Sequence, residues 1–419
     1  GDVNFASLVW DARIATVQDP ELNEWLRTTV ATAGGNTEPC FIGFSDIGHP
    51  GAFTWVNGER TRFTNWAPGQ PDHANGVEHY AALSPDTGLW SDVAGGGRAA
   101  IVEATGPIRV PHEFPTIQAA VNAAVNGQTI LVSEGVYTGA IDLGYKTLTI
   151  RSEAGAFATT LRIDGPDGIR ISGGQGADTV IEGFSIVPMP GAHVERLVST
   201  NASPVIRRCR LSNPAGIAFD IAGPATVSDC LVAQCYIAFR VSPSGRPMEV
   251  VVQNCTIAGN FGGIGIANGG TVPTSVRLAN SATAGNTIPF SANGTSNLFF
   301  FSNVVAEGPV GPNNLHADPG FANAPGADGI YGLDDDYSLR ASSPCIDAGN
   351  NIRRRPIADF AAAADVAGNP RFTDIPSVTD IGGGPGPVVD VGAFEFTPGP
   401  ACPIDFNNDG FVDFFDYDD

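Results

Sequence analysis

Between about Thr179 and Val305 the chain writes one short pattern six times. Apolar and polar positions alternate and then break at a Gly, Asn or Ser turn. The copies begin Val180-Ile181-Glu182-Gly183-Phe184, Val205-Ile206-Arg207-Arg208-Cys209, Thr226-Val227-Ser228-Asp229-Cys230, Val251-Val252-Gln253-Asn254-Cys255, Val276-Arg277-Leu278-Ala279-Asn280 and Phe299-Phe300-Phe301-Ser302-Asn303. An interval of 21 to 26 residues, period-two alternation and no i, i+3, i+4 apolar spacing between copies predict one coil of a parallel β-solenoid per copy. Matched positions then stack as ladders: Phe184, Cys209, Cys230, Cys255 and Ser281, with Asp229, Asn254, Asn280 and Asn303 one place earlier.

The flanks follow other patterns. Leu22, Trp25, Leu26 and Val30 predict an amphipathic helix over Asp19 to Val30, followed by strands at Cys40–Phe44, His79–Leu83 and Ala99–Val102. Ile117, Val121 and Val125 predict a second short helix after Pro115, then strands at Gly127–Tyr137 and Leu148–Ser152. All five tryptophans fall in the first 90 residues, so a domain boundary is expected near residue 105. From Leu333 the repeats stop.

Composition narrows the partners. Lys+Arg 22 against Asp+Glu 44 gives a net charge of −22, which repels phosphate backbones and anionic lipid surfaces, so nucleic acid is a poor partner. No run of about 18 apolar residues spans a membrane. Gly 52 and Pro 32, spread along the chain, suit a turn-rich all-β protein. The chain opens at Gly1 without Met and is expected to be a mature, secreted form. Of the seven cysteines, those in the ladder read as buried thiols, whereas Cys40, Cys345 and Cys402 are open to pairing with one another or with another chain.

Within residues 5 to 105, the ordered run Phe41-Ile42-Gly43-Phe44, Phe53-Thr54-Trp55-Val56-Asn57-Gly58, Asn65-Trp66, Gln70-Pro71-Asp72, Glu78, Trp90-Ser91-Asp92 and Ile101-Val102-Glu103 resembles the C-type lectin fold. The resemblance implies a Ca²⁺ ion and a sugar held by Gln70, Asp72, Glu78 and Asp92, a set of hard oxygen donors suited to that cation. The Gln-Pro-Asp loop is similar to the galactose type. Ser91 stands where an Asn is usual, and Tyr80 and Val102 occupy two places of the family's disulfide cysteines. A lectin-like fold used only for packing or protein contact is the other reading.

The 114–124 helix, the strands after it and the six copies resemble right-handed parallel β-helix proteins of the pectin-lyase-like class over roughly residues 107 to 340. A helix covering the first coil would hide its free strand edge. Relatives of that class cut acidic polysaccharides, which makes Asp164, Asp167, Arg170, Asp220, Asp229 and Arg240 the residues to consider, yet no two form a catalytic motif. No catalytic residue is assigned. Ser343-Pro344-Cys345-Ile346-Asp347-Ala348-Gly349, Asp365-Val366-Ala367-Gly368-Asn369-Pro370-Arg371 and Asp390-Val391-Gly392-Ala393-Phe394-Glu395 resemble the choice-of-anchor region of bacterial surface β-helix proteins. That region is expected to close the last coils, with Arg353-Arg354-Arg355 and Asp334-Asp335-Asp336 facing solvent or a neighbouring subunit.

The last motif is the most specific. Asp405, Asn407, Asp409, Asp413 and Asp416 stand at positions 1, 3, 5, 9 and 12 of an EF-hand-type calcium loop, with Gly410 at the sharp turn and Phe411 offering its carbonyl. Asp at position 12 resembles the dockerin loop, of which one copy is present. Phe411, Val412, Phe414 and Phe415 around it need an apolar partner.

The expected fold is mainly β: a lectin-like domain at 1–105, a right-handed parallel β-helix at 106–340, a closing region at 341–398 and a calcium-loop tail at 399–419. The expected function is an extracellular calcium-binding structural or adhesive protein, self-associating head to tail into a cell-surface filament. The alternative is a secreted polysaccharide lyase or hydrolase with a lectin-like module and a dockerin-like tail.

Overall fold

A computed structural model of the 419-residue chain describes residues 12–104, 106–267, 272–293, 297–306, 314–351, 364–384 and 386–398. Cys402, Arg353-Arg354-Arg355 and the whole calcium-loop set, Asp405, Asn407, Asp409, Phe411, Asp413 and Asp416, lie outside the described residues. The chain divides into two compact units, Gly1–Gly106 and Pro107–Asp419.

In the first unit, β1 (Ala12–Ile14) pairs antiparallel with β6 (Val102–Ala104). A four-stranded antiparallel sheet follows the order β3 (Thr54–Trp55), β2 (Cys40–Ser45), β4 (Glu78–Leu83) and β5 (Trp90–Ala94). Helix α1 (Pro20–Trp25) starts where the Asp19 side chain accepts from the Leu22 amide at 2.7 Å, and the chain continues as a wider π turn over Leu26–Ala31. Of the face that the spacing predicts, Leu26 is buried, whereas Trp25 is exposed. Phe44 forms the centre of the core, with the rings of Trp55, Trp66 and Trp90 at 4.6, 6.0 and 6.0 Å. The fully buried Trp90 donates its indole N–H to Asn23 Oδ1 at 2.7 Å, which satisfies both groups.

The second unit is a parallel β-solenoid with three sheets of nine, seven and seven strands. Neighbouring strands come from successive coils, so each residue stacks on its counterpart one coil away. In the nine-stranded sheet one inward column runs Ile108, Ile130, Ile150, Ile181, Ile206, Val227, Val252, Leu278, Phe301. Register pairs Val251 with Arg277 and Phe300, so the copies written from Val276 and Phe299 start one residue early. The reason is that these strands are six residues long, and Val250 and Val276 supply an additional inward position ahead of the shared pattern.

The turn after this sheet explains the polar ladder. Gly183, Arg208, Asp229, Asn254, Asn280 and Asn303 all have positive φ, from 46° to 82°. Asn and Asp tolerate this left-handed conformation better than other residues with a Cβ. Behind them Cys209, Cys230, Cys255 and Ser281 are fully buried. A second ladder forms at the next corner: Asn286 Oδ1 accepts from the Asn260 amide at 3.1 Å, and Asn260 Oδ1 accepts from the Cys235 amide at 2.8 Å. Its sequence signal was the repeated Ala-Gly-Asn of 258–260 and 284–286.

Helix α2 (Ile117–Ala123) packs on the first strands through Ile117, Ala120 and Val121, with Thr116 capping it by accepting from the Ala119 amide. Val125, assigned to the same face, is exposed because the helix has ended by Ala123. Lys146, the sole lysine, donates to the carbonyls of Val121 and Asn122 at 2.8 and 2.7 Å, clamping the helix C-terminus.

Solenoid strands run through Asn297–Ser302, and single parallel bridges extend the stack through Val305 to Leu315. The segment to 340 is therefore not further coils: Phe321–Asn323 and Asp336–Leu339 form an antiparallel pair. Nor does the region after it simply close the last coil. It lies along the outer face of one solenoid sheet, where Leu231, Ala233, Ala258, Ala282 and Ala284 pack with Phe321, Tyr337, Ile346, Val391 and Phe394. That cover is why the strands Leu231–Ala233 and Thr256–Ala258 are buried at every position instead of alternating. In the acidic triplet, Asp334 and Asp336 are exposed, and half-buried Asp335 accepts from the Gly326 and Gly332 amides at 2.7 and 2.8 Å.

Candidate metal centre

The loop between β3 and β4 doubles back tightly, with His73, Asn75 and Gly76 all at positive φ. It aims three successive backbone amides at carboxylates. Asp72 N–H donates to Asp92 Oδ1 at 3.0 Å, His73 N–H to Asp92 Oδ2 at 2.9 Å, and Ala74 N–H to Glu78 Oε2 at 3.0 Å. Gln70 Oε1 in turn accepts from the Asp92 amide at 3.1 Å, locking loop and strand together. Asp92 sits on β5 opposite Ala81, and Glu78 opens β4 beside a register shift that re-aims its side chain.

The result is a group of three carboxylates, Asp72, Glu78 and Asp92, with oxygens within 4.8 Å of one another. Two oxygens bound to one Ca²⁺ at about 2.4 Å can be no more than about 5 Å apart, so the set fits that ion's shell. Each oxygen of Asp92 accepts one amide and keeps a lone pair. Asp92 is buried, Glu78 half-buried and Asp72 exposed, which leaves one side of the group open to solvent. Gln70 is the fourth residue of the expected set, bonded to the Asp92 backbone. Ser91 lies on β5 opposite Ala82 and offers a hydroxyl in place of an amide oxygen.

Three residues beside this group carried no sequence signal. His73 Nδ1 is 3.6 Å from Asp92 Oδ2 and 3.6 Å from Asp46 Oδ2, and its ring stacks on Phe53 at 5.8 Å. His79 Nδ1 meets Asp46 Oδ1 at 2.9 Å. Burial would raise the Asp46 carboxyl, but the Gly51 amide and the two imidazoles outweigh it and hold the group below its ordinary value. Asp46 thus stays an acceptor for His79 and an anion beside His73.

On the solenoid, most of the acidic and basic residues considered for catalysis are held in ion pairs. Arg170 bonds Asp142, Arg196 Nε donates to Asp167 at 2.6 Å, and Arg240 forms a two-pronged pair with Asp220 at 2.8 and 2.6 Å. Asp164 is exposed. Asp229 is buried in the turn ladder, accepting from Asn254 Nδ2 at 3.1 Å and from Arg371. No disulfide joins the described cysteines: Cys40 and Cys345 are both buried free thiols, as are Cys209, Cys230, Cys235 and Cys255.

No family model matches the chain. Perlucin of Haliotis laevigata is 34% identical over 84 residues, 20% of this chain and 54% of perlucin. Lectin BRA-3 of Megabalanus rosa is 33% identical over 85 residues, 19% of this chain and 48% of that lectin. The chain thus spans about half the length of the curated relatives it matches. Among solved structures, the C-type lectin CEL-I from Cucumaria echinata overlays with a TM-score of 0.21 at 24% identity, covering 22% of this chain and 66% of CEL-I. Pectate lyase Pel9A overlays with a TM-score of 0.31 at 12% identity, covering 70% of this chain and 96% of Pel9A. The chain is mainly β, a parallel β-solenoid preceded by a unit similar to C-type lectins. No helix among the described residues is long and apolar enough to cross a membrane.

Proposed function

We propose that this chain is an extracellular calcium-binding adhesive protein whose lectin-like unit takes a glycan at the Asp72, Glu78 and Asp92 group, with Gln70 completing the set. The observation that carries this reading is the convergence of those carboxylates within 4.8 Å on an open-sided site. A bound Ca²⁺ would offset most of the group's negative charge and offer open coordination positions to sugar hydroxyls. The Gln-Pro-Asp loop favours a galactose-type sugar, and Ser91 weakens the site by one amide oxygen. The match to a protein named as a lectin supports the same reading.

The solenoid serves as the structural body, the region after it resembles a bacterial surface-anchor segment, and the sequence of Asp405 to Asp416, outside the described residues, would supply a second, dockerin-like calcium loop. Head-to-tail self-association of such a chain would make a cell-surface filament. The lyase or hydrolase alternative is disfavoured by the pairing of Arg170 and Arg240 with Asp142 and Asp220, which occupies the residues a base would need.

The test is glycan-array binding by the full chain with Ca²⁺ and after chelation, beside Asp92→Asn and Glu78→Gln. Retention of terminal galactosides that disappears on chelation and in both variants supports the proposal. Retention indifferent to Ca²⁺, or none, sinks the sugar role. Electron microscopy of the same samples, with Asp405→Ala, tests the filament.

A further inference from the structure

A second group of three carboxylates, Asp347, Asp374 and Asp380, lies in the region that covers the solenoid, with oxygens within 4.8 Å of one another. An acidic cluster alone is ordinary on a chain of this charge. What separates this one is Asp347. It is 0% exposed, and neither of its carboxylate oxygens has a hydrogen-bond partner.

The other buried acids nearby are satisfied. Asp365 accepts from the Ala367, Asn369 and Glu395 amides at 2.9, 2.8 and 2.9 Å. Asp390 accepts from the Asp347 and Phe396 amides at 2.7 and 2.6 Å. Glu395 and Asp229 both meet the Arg371 guanidinium. A buried carboxylate with no donor costs several kcal/mol unless it is neutralised. Asp347 has instead two more carboxylates beside it.

The backbone sets this arrangement deliberately. Asp347 has φ of 51°, and its carbonyl accepts from both the Ile381 and Gly382 amides, at 3.2 and 3.1 Å, which draws Asp380 alongside. Gly382 approaches so closely that a Cβ there would sit 1.9 Å from the Gly349 carbonyl oxygen. Ile375 is buried in the neighbouring apolar cluster and anchors Asp374, and a turn from Ile375 to Val378 brings the chain round to Asp380. The Ile375 amide is near enough to favour the ionised Asp347 but does not reach hydrogen-bond geometry.

We infer that Asp347, Asp374 and Asp380 form a binding site for a hard divalent cation, Ca²⁺, that fastens the covering region to itself. Three carboxylates with no nitrogen or sulfur ligand select such a cation, and the exposed Asp374 and Asp380 leave room for waters to fill its shell. Without a cation, burial and the flanking Asp380 and Asp374 push the Asp347 carboxyl up to about 6, the expected response of an uncompensated acid.

Hydrogen exchange of the full chain, read by mass spectrometry with Ca²⁺ and after chelation, tests this. Ca²⁺ is expected to slow exchange across 347–351 and 374–383 in the wild type. Asp347→Asn, which suits the left-handed backbone, and the exposed Asp380→Asn should each abolish that slowing and weaken this site more than tenfold, as the loss of a charged ligand does. The change in the 70–78 loop should persist in both. If Asp347→Asn fails to fold, Asp380→Asn decides alone. Exchange in these segments that ignores Ca²⁺ in the wild type, or a Ca²⁺ response unchanged in Asp380→Asn, overturns the site and leaves Asp347 a buried neutral acid.

Discussion

Arg371 donates through Nε to Asp229 Oδ1 at 3.0 Å, joining residues 142 positions apart and pinning the covering region onto the solenoid's turn ladder. The guanidinium is almost wholly buried and also donates to Glu395 at 3.3 Å and to the carbonyls of Gly392 and Asn254 at 2.7 and 3.2 Å. Removing it strands two buried acids. Arg371→Met is expected to destabilise the second unit by about 3–5 kcal/mol. Denaturant unfolding followed by circular dichroism measures the loss, and a change below about 1 kcal/mol would show the pair to be dispensable.

The turn ladder offers a cleaner separation of causes. Asn280 has φ of 46°, accepts from the Asn350 amide at 2.9 Å and donates to its carbonyl at 3.2 Å. Asn280→Gly loses the side-chain bonds but keeps the conformation. Asn280→Ala loses both and should be less stable than the Gly variant by about 1 kcal/mol. Equal melting temperatures for the two would mean that the left-handed backbone carries no cost here.

Burial raises the Glu395 carboxyl to about 8, with Arg371 opposing the shift and Asp390 adding to it. The folded state then holds a proton that the unfolded chain has lost above its ordinary value of 4.5. Stability therefore falls as pH rises from that value towards 8. Asp390, pushed to about 6 chiefly by burial, acts in the same direction over the lower part of the range. Thermal melts from pH 5 to 8 should show the decline, and Glu395→Gln should flatten it. A melting temperature that rises over this window contradicts the assignment.

The six described cysteines are buried and reduced, and burial raises the thiols of Cys235 and Cys345 to about 12. Thiolates are the reactive form, so alkylation of these residues should wait for unfolding. Peptide mapping after iodoacetamide treatment with and without denaturant checks this. Native-state labelling of Cys209, Cys230 or Cys255 would mean that the coil stack opens readily.

Much of the fold was legible because its causes are local. Period-two alternation, a turn every coil and Gly, Asn or Asp at the left-handed positions are consequences of backbone sterics, and each leaves a residue type at a fixed interval. Gln70, Asp72, Glu78 and Asp92 could be nominated because they fall in one ordered run of motifs. Only the tertiary structure could decide the rest. It placed His73 between Asp46 and Asp92, turned Trp25 and Val125 outward, and moved the strands from Val276 and Phe299 by one residue. It also laid Phe321, Tyr337, Ile346, Val391 and Phe394 over the outer face of the solenoid, in the region where Arg371 meets Asp229 and Asp347 meets Asp374 and Asp380. No interval encodes those meetings. They depend on which loops share a volume after folding, and there the free energy of burying a charge is set by neighbours that are distant in the chain.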